Sequence, residues 1–368
     1  MGKAHSPIDK PFLFSVVALV FAGFLIFSSA SLGLLAREGA SFTSVATGQI
    51  LIGILGGCVA LLITTRINYR LYKKYALPLF LFSIFSTLLV FVPAIGFSAG
   101  GATRWIDLGF TTFQPAEFLK LGFVIYLAAL LSANRAHIYS LKQGVLPFVI
   151  LSALVGIVLL LQPDTGTFLV ILATGLSMLI AAGVRWRDIS GLGFLSLIGL
   201  SALVFLRPYV MDRILTFLNP SSDPLGNGYQ IQQSLIAIGS GHIFGRGFGQ
   251  SVQKFDYLPE PMGDSIFAVA AEELGFIGAS TIVILFLLFA LRGYAIAGRT
   301  NDHFGGLLAV GISTYLAAEA FINIAAMLGV APLTGIPLTF VSQGGSAMLI
   351  SLASAGILLN ISRHRGTK

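Results

Sequence analysis

Residues 259–275 read Pro-Glu-Pro-Met-Gly-Asp-Ser-Ile-Phe-Ala-Val-Ala-Ala-Glu-Glu-Leu-Gly. A polar stretch carrying Glu260 and Asp264 runs into an apolar helix that soon holds a second acidic pair, Glu272 and Glu273. Asp264 stands at the mouth of that helix, where water arrives but the surroundings are partly apolar. A carboxylate so placed can take a proton from a hydroxyl; it can equally cap the helix, because Asp is a favoured N-cap. Glu272 and Glu273 cannot both face lipid, so at least one must enter the bundle and find an Arg or Lys partner.

Four other segments hold groups able to do chemistry. Residues 100–109 carry Arg104 beside Trp105, which read as a snorkelling cation and an interfacial anchor or as ligands for a head group. Pro115 opens a helix with Glu117 in its first turn and Lys120 on the same face, either as a self-neutralising pair or with Lys120 offered to an anion. The glycines at 239, 241, 245, 247 and 249 surround Arg246. Bare amides of this kind can cradle phosphate, although the spacing matches no nucleotide loop. Residues 332–339 form a rigid turn leading to Ser342, Gly344 and Gly345, small residues that either allow helices to approach closely or leave room for a substrate. Gln162-Pro163-Asp164-Thr165-Gly166 reads as a tight hairpin with Asp164 as a helix cap. Glu319 and Asn323, four residues apart, satisfy each other or line a cavity.

These residues are positioned by a membrane bundle. The chain is 56% hydrophobic and 10% charged, with mean hydropathy +0.90, which excludes an ordinary soluble domain. We expect ten spanning helices, beginning near Phe12, Val45, Ala76, Pro115, Val145, Thr165, Ile189, Ile266, Phe304 and Phe340, because lipid forces backbone groups to pair within each span. The fold class is all-α and polytopic, one domain over residues 1–368, with a long loop at 208–264 between spans seven and eight. With both termini cytoplasmic, most of the 22 Lys and Arg fall in short inner segments, among them Arg66, Arg70, Lys73, Lys74, Arg135, Arg185 and Arg292, as the positive-inside rule requires. Most acids then lie outside. The net charge of +7 is a topology signal and an attraction to anionic lipid rather than a nucleic-acid footprint. Cys58 is expected to be a buried packing residue. Ser28-Ser29-Ala30 loosely resembles a cleavage site, but the apolar run continues past it and the first span is expected to be kept. Within the long loop, Ile231, Leu235, Ile236 and Ile238 predict an ordered amphipathic helix.

Taken in order, Gly-Ala-x-Arg-Trp-Ile-x-Leu-Gly, Phe-Gln-Pro-x-Glu-Phe-x-Lys, Gln-Pro-Asp-x-Gly-Thr, Gly-Tyr-Gln-x-x-Gln-Ser-Leu, Leu-Pro-Glu-x-x-x-Asp, Glu-Glu-Leu-Gly and Pro-Leu-Thr-Gly-Ile-Pro-Leu resemble the SEDS family of bacterial cell-wall polymerases, the group of FtsW and RodA. Residues 251–260 look more like the FtsW branch. Two departures stand out: Met262-Gly263 where the family usually has His-Thr, and Gln343 where it usually has Tyr.

The resemblance implies a peptidoglycan glycosyltransferase that polymerises lipid II at the outer face of the cytoplasmic membrane, at the division septum, by inverting transfer with release of undecaprenyl pyrophosphate. It makes Asp264 the catalytic base and Arg104, Trp105, Glu117, Lys120, Arg246, Glu260, Ser342, Gly344 and Gly345 the substrate-binding set. It further implies a divalent cation (Mg²⁺ or Mn²⁺), a class B penicillin-binding protein and divisome proteins as partners. The alternatives are a RodA-type elongation polymerase, a lipid II flippase using Glu117, Lys120, Glu272 and Glu319 as a polar path, and a scaffold that only recruits a transpeptidase.

Overall fold

A computed structural model describes residues 8–35, 45, 47–99, 101–109, 111–223 and 226–364. Among these residues, nine helices are long and apolar enough to cross a membrane. They are α1 (Lys10–Leu35), α2 (Gly48–Arg66), α5 (Pro115–Ala133), α6 (Leu141–Leu161), α7 (Thr165–Ala182), α8 (Trp186–Leu206), α11 (Ile266–Gly298), α12 (His303–Met327) and α13 (Gly345–Ser362). The expected third span is the shorter apolar helix α4 (Ala76–Phe91), which follows a one-turn α3 (Arg70–Lys74). The polytopic all-α expectation holds.

α5, α12 and α13 form the centre, with most of their faces buried, whereas α8 lies at the rim. Small residues set the closest approaches. A Cβ on Gly57 or Gly356 would collide with Leu352 or with Thr64 and the Leu61 carbonyl, so α2 and α13 pack nearly backbone to backbone. Cys58 departs from expectation: it faces outward from α2 and is exposed, as an apolar thiol on a lipid-facing helix surface can be.

Three features lie beyond the sequence reading. First, residues 96–113 fold into a three-stranded antiparallel meander, β1 (Gly96–Ala99), β2 (Ala102–Asp107) and β3 (Thr112–Phe113). Phe97 opposes Trp105 and Ser98 opposes Thr103, so Arg104 is the unopposed residue of a bulge, a device that re-aims a side chain. Second, the 208–264 segment contains α9 (Pro208–Leu218) and the anticipated amphipathic helix, α10 (Asn227–Ser240), which buries Ile231 and Ser234 against the bundle and exposes Leu235 and Ile236.

Third, α11 is two helices. Gly275, at φ 67° and ψ −167°, interrupts it. The peptide groups released there are taken up by the glycine-rich segment: Phe276 N–H donates to His242 O (2.8 Å), and Arg246 and Gly247 N–H donate to Glu272 O and Glu273 O (3.0 Å each). Broken helices survive at membrane depth only with such replacement partners. A Cβ on Gly275 would sit 2.2 Å from Gly245 N, so glycine is required for both conformation and space. Gly241 and Gly245 therefore pack against the broken helix, and the Gly247 and Gly249 amides are given to Glu273, so these positions do not stand open as a phosphate cradle.

Candidate active site

Asp264 sits one residue before the N-cap of α11, Ser265, which makes no side-chain cap bond. The capping alternative is therefore set aside. Its main chain is held from several sides. Asn323 of α12 donates Nδ2 to both Asp264 O and Ile336 O, 2.8 Å each. Ser342 Oγ donates to Gly263 O (2.7 Å), and Gln343 N–H donates to Met262 O (2.7 Å). Gln230 of α10 donates to Ser265 Oγ at 3.0 Å. Each bond contributes on the order of 1 kcal/mol; together they fix where the carboxyl begins.

The carboxyl itself is half-buried and lines a small cleft with Arg213, Gln230, Asn323 and Gly335. Gly335 marks its centre. A methyl placed there would lie 3.6 Å from Asp264 Oδ2, 3.6 Å from Arg213 Nη2 and 4.0 Å from Arg104 Nη1. One acid and two guanidinium groups thus surround a single point. Arg213 Nη1 is tied to Thr334 O at 3.0 Å. Arg104 donates Nε to Gln162 O (3.3 Å) and Nη2 to Pro163 O, which moors the β2 bulge to the α6–α7 turn. Asp164 caps α7 through Thr167 N–H at 3.2 Å, as expected, and its second carboxylate oxygen is buried with no hydrogen-bond partner among the described residues.

Burial raises the Asp264 pKa to about 6; the neighbouring Glu260 and Asp164 charges push the same way, while Arg213 and Arg104 pull it down. Arg213 is lowered by its own burial and by Arg104, with Asp264 acting in the opposite direction. The carboxyl is thus ionised at neutral pH yet remains a better base than an exposed aspartate.

The other expected residues divide. Glu260 is exposed and close enough to act on Asp264, and Trp105 is half-buried on β2 beside Arg104. Lys120 is not presented to a ligand: it is 2% exposed and bound by Glu117 (2.8 Å) and by Glu319. Glu319 also accepts from Thr339. The expected Glu319–Asn323 pairing is accordingly replaced by partners from other elements.

Arg246 points to Glu272 at 3.4 Å rather than to the Asp264 cleft. Ser342 and Gly344 knit the chain turn: Ser342 Oγ also accepts from Leu338 N–H (2.8 Å), and Gly344 N–H donates to Gln49 Oε1 (2.9 Å). Gly345 packs against α2, since its Cβ would lie 2.7 Å from Gly48 O. These small residues serve close packing and positioning. Sequence reasoning missed Arg213 and Gly335. Arg213 lies on a short strongly amphipathic helix, and a basic residue on the mainly acidic side was the available signal.

No group of three or more His, Cys, Asp or Glu side chains able to hold a metal occurs among the described residues. The charges that act on Asp264 are acidic, from Glu260 and Asp164, as well as basic, from Arg213 and Arg104.

With this geometry in hand, comparison with known proteins is decisive on one point. A family model described as "Cell cycle protein", covering FtsW, RodA and SpoVE, matches residues 10–367. The chain belongs to the FtsW/RodA/SpoVE family. It is 41% identical over 362 residues to a probable peptidoglycan glycosyltransferase FtsW from Geobacter sp. (strain M18), covering 97% of this chain and 98% of that one. It is 40% identical over 308 residues to stage V sporulation protein E of Bacillus subtilis (strain 168), covering 84% of each.

Among solved structures, a chain from a peptidoglycan synthase complex that coordinates polymerization and crosslinking superposes with TM-score 0.78 at 29% identity, over 97% of this chain and 98% of that chain. The rod shape determining protein RodA of Thermus thermophilus superposes with TM-score 0.69 at 26% identity, over 98% of both. The sequence relatives thus lean to FtsW, and the polytopic helical fold is shared with RodA.

Proposed function

We propose that this member of the FtsW/RodA/SpoVE family is a peptidoglycan glycosyltransferase that polymerises lipid II at the outer face of the cytoplasmic membrane during division. Asp264 deprotonates the 4-hydroxyl of N-acetylglucosamine on the incoming lipid II. The freed oxygen attacks the anomeric carbon of N-acetylmuramic acid at the lipid-linked end of the growing strand. The bond from that carbon to the pyrophosphate breaks, the configuration inverts, and undecaprenyl pyrophosphate departs. Arg104 and Arg213 meet the negative charge that develops on the leaving group. The half-helix Ile266–Leu274 directs its positive end toward the same place. Glu260, at the exposed rim, holds hydroxyl groups of the acceptor sugar.

The observation that carries this reading is the convergence of Asp264, Arg213 and Arg104 around Gly335. A base and two cations around one space fit a transfer in which a proton is removed and a pyrophosphate anion is made. The flippase reading is the weaker one, because Lys120 is taken up by Glu117 and Glu319. A class B penicillin-binding protein is the proposed partner, on the strength of the similarity to a chain from a synthase complex, with the septum as the site of action. Purified protein given lipid II should form glycan strands on a gel and should not move labelled lipid II across vesicles. Translocation without polymerisation would overturn the reading.

A further inference from the structure

At the far end of α11 from Asp264 lies a second cavity, of about 410 Å³, between α7, α11 and α12. That is ligand-sized. Its walls near the span are apolar, from Ala181, Leu307 and Val310, and its mouth is polar, from Arg135, Tyr294, Asn301 and His303. Lys73 and Arg135 lie close enough to His303 to act on it electrostatically, and Lys73 Nζ stands 5.9 Å from the Phe304 ring. Asp302, the acid in the lining, is engaged: its carboxylate accepts from Gly305 N–H at 3.1 Å, and Tyr69 and Arg70 act on it. His303 Nε2 is buried and makes no hydrogen bond among the described residues. Polar groups so enclosed are ordinarily partnered.

We propose that this cavity binds the phosphodiester headgroup of an acidic phospholipid, with Arg135 meeting the phosphate and His303 Nε2 completing its hydrogen bonds. Basic pockets between transmembrane helices are suited to such headgroups. A lipid is favoured over a soluble anion because the cationic mouth continues into the apolar wall of Leu307 and Val310, where an acyl chain finds cover. The site sits at the joint between α11 and α12, and α12 carries Asn323, which holds Asp264, at its other end.

Native mass spectrometry of the purified full chain, with phosphatidylglycerol or phosphatidylcholine added to the micelles, tests this. Phosphatidylglycerol should be retained in preference and should raise the unfolding temperature. Arg135→Gln should weaken retention about fivefold, roughly the worth of one basic residue at an anionic surface. Gly306→Leu keeps every charge but fills the space, since a Cβ there meets only Ala297 O at 3.5 Å, and it should abolish the preference. Equal retention of the two lipids, or retention unchanged in both variants, would overturn the site. Equal stabilisation by inorganic phosphate alone would overturn the lipid as its occupant.

Discussion

Asp264, just ahead of the half-helix that opens at Ile266, and the Glu272–Glu273 pair within it have opposite surroundings. Glu273 is 2% exposed and receives Lys254 Nζ and Ser29 Oγ, at 2.8 and 2.5 Å, together with the Gly249 and Ser251 amides. Glu272 is fully buried and accepts from Ser251 Oγ at 2.6 Å and from the Val252 and Gln253 amides. Lys254, with no exposed surface, completes its shell with Ser29 Oγ and Gly249 O at 2.8 Å each. Every one of these charges is committed to holding residues 246–254 onto α1 and α11.

At Asp264 the arrangement is reversed. The main chain is fixed and the carboxyl faces a cleft toward two cations. Burial alone does not mark a functional acid. What marks it is a pinned backbone with the side-chain bonding capacity left for a ligand.

Variants that remove one side of this contrast should therefore fail in different ways. Asp264→Asn should lower polymerisation of purified lipid II by about 10²–10⁴-fold, the range for a positioned base, with the unfolding temperature kept; full activity would place the base elsewhere. Lys254→Met should do the reverse, leaving Glu273 buried without its cation at a cost of about 3–5 kcal/mol. The check is thermal unfolding in detergent, with substantial recovery in the double variant Lys254→Met, Glu273→Leu. An unchanged unfolding temperature in the single variant would contradict the structural role.

Arg213→Gln removes one of the two groups proposed to meet the pyrophosphate and should cost about 10²–10³-fold in kcat, the usual worth of one such donor, with normal membrane insertion. A change confined to KM would move Arg213 from leaving-group stabilisation to ground-state binding. Gly335→Ala combines a methyl at the centre of the cleft with φ +71°. It should destabilise by roughly 1–3 kcal/mol and lower activity, and an alanine variant as stable and active as the parent would show that this space is not used.

Nine of the ten expected spans were legible among the described residues because hydropathy and length suffice for them, and Asp264, Arg104 and Trp105 were legible as chemically suitable residues at helix or loop edges. The bulge that aims Arg104 was not, because it depends on how β1 pairs with β2. The break at Gly275 was hidden inside a continuous apolar run, and only the partner strand of backbone at 242–247 makes it stable. The Glu117–Lys120 pair was legible from its spacing, but its second acid, Glu319, and the Asp264 carbonyl held by Asn323 were not, since spacing along one helix says nothing about neighbouring elements. Arg213 depended on α9 folding back over the bundle.

The most direct measurement is the pH dependence of kcat/KM for lipid II polymerisation, taken for the parent protein and for Arg213→Gln. Asp264 must be ionised to accept the proton, so activity should be level above its pKa of about 6 and fall about tenfold per pH unit below it. Because Arg213 holds that pKa down, its removal should move the midpoint to higher pH. A profile without an acid limb between pH 5 and 7, or a limb that Arg213→Gln leaves in place, would contradict Asp264 as the base.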